Sequence, residues 1–490
     1  MSRCALARTT APSRDGRRIA AVRRRFPPRS RQNGVHGTPI GLARSHRPAT
    51  LPARSRRTRQ PAAGVRVWKK EPTMTASIST RMLACGMPLI VETIPGVRSA
   101  ALAWLLPAGS ATDPAHLEGR STLVSELLLR GAGDLGSREQ ADAFDRLGVN
   151  RSTSVGTYSL TISATLLGNR LPEALPLIVD MVRRPRFDPT ALEPVRDLAL
   201  QSLDSLRDDP PERASILAKA RHLPVPINRS GLGTEEGLGS CTIEDIAESW
   251  HALARPGRSI LALAGAVDAD AAARALDALL ADWAGTTPEP VLGPPPPRGY
   301  AHEPDESSQV QVIVAHDAPP ERDTNSTAER VVNAVLSAGM SSRLFTEVRE
   351  KRGLCYSVSA GYTPARDHGI VSAYVGTMPD RAQHSLEVLL AEMRRINTPD
   401  GRITREEFDR AIVGMKSRLI FSGESTSARA GALATDYHKL GRARSLAEMA
   451  AEIDRLTLDG VNAYLSRRSL GRLTIQTLGP APLVAPDGAA

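Results

Sequence analysis

The sequence predicts an α+β fold with an internal duplication, and three observations carry the prediction. Strand-like runs of period two and helix-like runs of period 3.6 come in blocks rather than in strict alternation, which favours α+β layers over a wound parallel sheet. The order of those blocks in the second half repeats the order in the first. Between the halves lies a proline-dense stretch, Thr287 to Tyr300 (TPEPVLGPPPPRGY), whose four successive prolines favour a stiff, extended polyproline rod. The expected organisation is a leader over 1–73, a first domain over 75–286, a linker over 287–300, a second domain over 301–480 and a tail over 481–490.

At 490 residues the chain is long enough for two full cores. Its net charge of +10 is unevenly placed. Residues 1–73 hold 17 Arg, 2 Lys and 2 acids, a balance of +17. The rest holds 63 − 19 = 44 basic and 53 − 2 = 51 acidic residues, a balance of −7. The body therefore lacks the basic footprint of a nucleic-acid binder, and no nucleic-acid partner is expected. The Arg/Pro-rich leader has no apolar periodicity and is expected to be disordered. Met74 is the expected start of the working protein, because strand-like sequence begins soon after it. No apolar run is long enough for a membrane helix, and no secretory signal core is present, so the default expectation is cytoplasmic. The basic leader leaves a targeted compartment open. Cys4, Cys85, Cys241 and Cys355 are scattered and read as reduced thiols.

In order, the first half opens with strands Pro88–Ile94 and Ala100–Pro107, joined by a Pro95-Gly96 turn. A helix is expected over Gly119–Leu129, and another from a Ser137-x-x-Gln140 capping box to Gly148. A strand pair follows over Asn150–Gly168. Helices then run near Pro172–Arg184 and Pro189–Arg207, after Pro210-Pro211, and from a Thr242-x-x-Asp245 box. Strand Ser259–Val267 and helix Ala269–Trp283 close the half. Gly131, Gly133 and Gly136 spell G-x-G-x-x-G, but a helix precedes them and no acid follows at the required distance. A dinucleotide site is not expected there.

The second half repeats this: strand Val310–Ala315, helix Thr327–Ser337, a helix ending Lys351-Arg352-Gly353, then strands Tyr356–Tyr362 and Gly369–Gly376. Helices follow over Asp380–Ile396, from a Thr404-x-x-Glu407 box, near Ala428–Lys439 and Leu446–Leu456, and after Thr457. Leu473–Leu478 is the last strand. The richest stretch is Ser341–Tyr362 (SSRLFTEVREKRGLCYSVSAGY). Leu344, Phe345 and Val348 make one apolar stripe, Lys351 and Arg352 suit the last helical turn, and Gly353 stops it. Tyr356, Val358, Ala360 and Tyr362 then share one face of a strand, opposite Cys355, Ser357 and Ser359. Arg349 and Tyr356 are thus held on two rigid elements joined by a tight turn.

That string closely resembles the C-terminal domain of the pitrilysin/insulinase/mitochondrial-processing-peptidase family of zinc peptidases. The resemblance extends over about Thr80–Pro480 and is strongest at 339–377 and 230–268. It implies two homologous domains, each a mainly antiparallel sheet with helices packed on it. It also implies a peptide-binding role for an Arg and a Tyr that match Arg349 and Tyr356. Zinc-bearing members carry H-x-x-E-H on the helix corresponding to Gly119–Leu129, with a further Glu on a later helix. The matching positions here are Thr122, Ser125 and Glu126, then Gln201 and Ser202. One carboxylate among hydroxyls and a carboxamide makes a poor zinc ligand set. The ten histidines contain no i, i+3 or i, i+4 pair. The resemblance thus implies a zinc-free subunit that binds an unfolded peptide and completes the active site of a zinc-bearing partner, with zinc expected in that partner and not in this chain. No activity is expected of the chain alone, and no membrane association. Two alternatives remain open: a purely structural subunit, or a solitary enzyme using either a different metal set or Cys355 as nucleophile, its pKa lowered by Lys351 and Arg352.

Overall fold

A computed structural model describes residues 77–486. The expectations for the leader, including its disorder and a start at Met74, fall outside the described residues, as do 487–490 of the tail.

The first half contains β1 (Ser77–Met82), β2 (Pro88–Thr93), β3 (Ser99–Leu106), α1 (Arg120–Leu127), the short hairpin β4 (Gly131–Ala132) and β5 (Leu135–Gly136), α2 (Ser137–Arg146), β6 (Asn150–Val155) and β7 (Leu160–Leu167). It continues through α3 (Leu171–Arg183), α4 (Pro189–Asp204), α5 (Pro210–His222), α6 (Glu235–Ser240), α7 (Ile243–Leu253), β8 (Ile260–Gly265) and α8 (Ala269–Leu279). The second half contains β9 (Gly299–Pro304), β10 (Val310–Ala318), α9 (Ser326–Ser337), a wide helical turn at Phe345–Glu350, β11 (Cys355–Pro364) and β12 (Gly369–Thr377). Then come α10 (Ala382–Arg395), α11 (Arg405–Gly423), α12 (Thr426–Leu440), α13 (Leu446–Asp454), α14 (Leu458–Leu465) and β13 (Thr474–Gly479).

The duplication is visible in the sheets. The first runs β1-β2-β8-β3-β7-β6 and the second β11-β12-β10-β13-β9. Read from β2 and from β9, the two share strand order and direction. The β2–β8 and β13–β9 pairs are parallel, and the other pairs are antiparallel. The fold is therefore the α+β duplication that the sequence predicts. β1 has no counterpart. It is an almost fully exposed edge strand with no apolar alternation, so its sequence carries no strand signal. Gly299 and Tyr300, at the end of the proline-dense stretch, already belong to β9. The Thr242 and Thr404 capping boxes form. The Ser137 box does not: Gly136 precedes the helix, and Gln140 turns instead to accept from the Gly131 N–H at 3.2 Å.

One arrangement is absent from the sequence reading. Each half lends a helix to the other half's sheet. α12 packs on β3 and β8, and α5 packs on β10 and β13. The strand sequences show why. In β3, Leu102, Trp104 and Leu106 point into their own core, while Ala101 and Ala103 point the other way. Those alanines, with Ala262 and Ala264 of β8, leave room for Ala430, Leu433 and Ala434 of α12. Ala214 and Ala218 of α5 meet Ile313 and Leu478 in the same way. Small residues on both surfaces permit close helix-on-sheet contact, and burial of the apolar area drives it. The contact is pinned by Arg429 of α12, whose Nε donates to Glu92 Oε2 of β2 at 2.7 Å, both side chains being 2% exposed.

Two histidines, His316 buried and His438 half-buried, are held in the neutral form. His316 donates from Nδ1 to the Asp317 carbonyl at 2.7 Å, and its Nε2 accepts from Arg468 at 3.2 Å. Burial, with Arg468 beside it, pushes His316 down to about 3. His438 of α12 is pushed down to about 4 by burial and by Arg366 and Arg258. In an unfolded chain both take protons near pH ~6.5. Folding excludes those protons, so the stabilisation is complete above that pH and is lost as pH falls through 4 toward 3. The urea midpoint should fall steadily as pH drops below ~6.5, and His316→Gln should flatten that dependence. A midpoint flat from neutral pH to the folded-state values would contradict this.

Candidate functional site

The Ser341–Tyr362 stretch folds as a wide turn leading into an edge strand. Leu344 and Val348 are fully buried, and Leu354 nearly so, and these anchor the turn in the second core. Arg343 fixes its start. That guanidinium donates to both carboxylate oxygens of Glu407 at 2.7 Å and to the carbonyls of Gly401 and Arg402. The expected helix is wider than an α-helix: Lys351 N–H reaches Thr346 O at 2.9 Å, an i→i−5 bond. Such π-type turns are rare and recur at functional sites. Gly353, at φ +59°, lets the chain close with Leu354 N–H on Val348 O at 3.0 Å.

Tyr356 does not share the face of Val358, Ala360 and Tyr362. Cys355 pairs with Thr377 and Ser357 pairs with Gly376, so Tyr356 is an extra residue in a β-bulge. The bulge turns Cys355 inward beside Val358 and Ala360 and leaves Tyr356 81% exposed. Alternation alone could not reveal a one-residue insertion. The exposed ring does not stand free. The Arg349 guanidinium lies 4.9 Å from its centroid and 4.8 Å from that of Phe345, so the arginine is stacked between two rings. Phe345 sits four residues before Arg349, a spacing that places both on one helical face, and that signal was available in the sequence.

The charges around the turn single out Arg349. Arg343 is tied to Glu407, and Lys351 and Arg352 both bind Glu347 at 2.7 Å. Among the described residues, the Arg349 side chain makes no ion pair and no hydrogen bond. Its N–H fork is held in place by stacking, with its donors available to an incoming acceptor. Cys355 fares differently. Burial pushes its thiol up to about 11, and Lys351 and Arg352 are engaged by Glu347 rather than activating it. The nucleophile alternative has no chemical support in this geometry.

The positions matching the zinc ligands lie on α1 and on α4, which packs against it. A zinc ion does not fit them. The Thr122 hydroxyl donates to the Gly231 carbonyl, and Ser125 is 5% exposed in the helix packing. Glu126 is half-buried and supplies the single carboxylate. Gln201 and Ser202 are exposed, and Ser202 Oγ donates back to Leu198 O at 2.9 Å. The 230–234 loop and the start of α6 close over the start of α1: a Cβ on Gly233 would lie 2.4 Å from Gly119 Cα, and one on Gly237 2.4 Å from Glu118 O. Among the described residues, no three of His, Cys, Asp and Glu converge as a metal site. α1 packs in the first core and the turn carrying Arg349 is anchored in the second, and no hydrogen bond, ion pair or ring contact joins α1 to the Arg349–Tyr356 pair. No helix among the described residues is long and apolar enough to cross a membrane.

Known proteins similar to this chain share one family. Residues 89–225 match the family described as Insulinase (Peptidase family M16), and residues 240–415 match the Peptidase M16 inactive domain. An uncharacterized zinc protease of Streptomyces coelicolor is 25% identical over 446 residues, which is 89% of this chain and 96% of that protein. An uncharacterized zinc protease of Bacillus subtilis is 26% identical, covering 77% and 92% respectively. In fold, the chain is similar to a peptidase M16 inactive domain from Pseudomonas fluorescens (TM-score 0.75, 21% identity, 84% of this chain and 99% of that one). It is also similar to a chain of complex III from Candida albicans (TM-score 0.71, 17% identity, 82% and 96%). With both halves matched in order and the duplicated fold in common, the chain belongs to the insulinase-type peptidase family M16.

Proposed function

We propose that this chain is the zinc-free subunit of an M16-type endopeptidase, binding an extended peptide and completing the active site of a zinc-bearing homologue through Arg349 and Tyr356. The observation that carries the reading is the state of Arg349. It is the one cation of its turn without a carboxylate, and its guanidinium lies over the rings of both Phe345 and Tyr356. Tyr356 sits at the start of β11, an edge strand whose outer side has no partner strand among the described residues, and Arg349 sits in the turn that leads into it. An open edge offers backbone N–H and C=O groups to an extended peptide, and the arginine fork can then hold a substrate carbonyl. The Tyr356 phenol can donate to the oxyanion that forms at the scissile carbonyl. What this chain does not supply is the activated water, since the residues on α1 and α4 do not fit a zinc ion. That task falls to the partner.

The test is to mix the purified chain with a zinc-bearing M16 homologue and follow cleavage of a fluorogenic peptide. The expected result is no cleavage by the chain alone and cleavage by the mixture above that of the homologue alone. A stable complex with unchanged turnover would instead favour a structural subunit, the reading consistent with the fold shared with the complex III chain.

A further inference from the structure

The helices exchanged between the halves enclose a cleft of about 520 Å³ that the peptidase reading does not use. β3 and β7 form one side, β11 and β12 the other, and α5 and α12 contribute Lys219, His222, His438 and Lys439. Its volume is that of an ordinary small-molecule site. The lining has two lysines and three histidines, eight Ser and Thr residues, and no Asp or Glu. That composition is unexpected in a body whose balance beyond the leader is acidic.

Neither lysine is in direct contact with a carboxylate among the described residues. Lys219 Nζ donates to Thr157 Oγ1 at 3.2 Å and to the Arg229 carbonyl at 2.9 Å, both neutral acceptors. Lys439 Nζ has no hydrogen-bond acceptor and neither lysine has an ion pair among the described residues. The carboxylates around the cleft are already engaged by arginines. Asp317 is bound by Arg298, and Asp367 and Glu289 by Arg366. Glu321 is held by Arg330 and Arg444, and Asp436 by Arg444. Burial holds both lysines below their ordinary range. Leaving two ammonium groups in a shielded cleft without an anion costs stability, and a bound anion reverses that cost. His368 and His438, held neutral by burial, can donate or accept beside it.

We propose that this interdomain cleft binds a small phosphate ester of a hydroxylated molecule, its phosphate held by Lys219 and Lys439 and its hydroxyl groups by the Ser and Thr lining. A phosphate carries close to two negative charges at neutral pH and three acceptor oxygens, which suits a cleft lined by two ammonium groups and no carboxylate better than a single carboxylate does. The site involves neither Arg349 nor Tyr356, so it stands or falls apart from the peptidase reading.

The test uses the isolated full chain and titration calorimetry with glycerol 3-phosphate, against glycerol and citrate at matched ionic strength. Saturable binding of glycerol 3-phosphate and none of glycerol is expected. Lys219→Met and Lys439→Met should each weaken binding at least ~10-fold, while Lys416→Met, on the surface, leaves it unchanged. Lys439→Met should also unfold at no lower temperature than the parent, since it removes an unpaired charge. No binding, equal binding of glycerol, binding of citrate alone, or binding insensitive to both lysine substitutions would overturn the proposal. Loss of stability in Lys439→Met with binding retained would overturn it as well, marking that lysine as structural.

Discussion

Replacing Tyr356 by Phe is expected to slow the mixed enzyme by ~10²–10³-fold, the usual effect of deleting one oxyanion donor, with little change in KM. The substitution removes one oxygen from a side chain that is 81% exposed, so folding should be unaffected. Arg349→Ala should act differently. It removes a group that holds substrate in ground and transition states alike, so KM should rise along with any fall in turnover. It also removes the stacking partner that keeps the Tyr356 ring in place, so the two effects should not add. Initial rates across substrate concentration, for each variant and the double variant, decide this. Unchanged turnover in both single variants would remove the pair from the mechanism and leave the structural reading.

Arg429→Ala should cost about 3–5 kcal/mol of unfolding free energy, the largest stability loss expected of a single substitution here. It leaves the Glu92 carboxylate, 2% exposed, without its cation inside the contact between α12 and the first sheet. The penalty comes from stranding a charge rather than from losing a strong attraction, so Arg429→Met combined with Glu92→Leu should recover most of it. Urea unfolding of the three variants gives the answer. A double variant as unstable as the single one would show that the pair itself, and not the stranded charge, holds the halves together.

The sequence reveals the duplication because each repeated element keeps its own period, and the Thr242 and Thr404 caps mark two helix starts correctly. Arg349 and Tyr356 stand out in the sequence only through the family resemblance of their string, while the apolar stripe and the stop glycine mark the turn between them. The sequence conceals the bulge, since one inserted residue in a strand leaves local propensity unchanged and shows only when the partner strand is in place. It also conceals the helix exchange. Ala101, Ala103, Ala262 and Ala264 read as ordinary strand filler until Ala430 and Ala434 from a distant helix are seen against them. β1 is missed for a simpler reason: an exposed edge strand has no buried face to impose alternation. The wide turn at Phe345–Glu350 is a matter of hydrogen-bond register, to which residue periodicity is nearly blind.

The central claim is that this chain grips peptide but lacks ligands for a catalytic zinc. Metal analysis of the isolated protein, washed with chelator and re-exposed to one equivalent of zinc, tests it most directly when peptide cleavage is assayed on the same sample. The account predicts substoichiometric, easily removed zinc and no hydrolysis until a zinc-bearing homologue is added. One tightly held zinc per chain, with hydrolysis by the chain unaided, would contradict it.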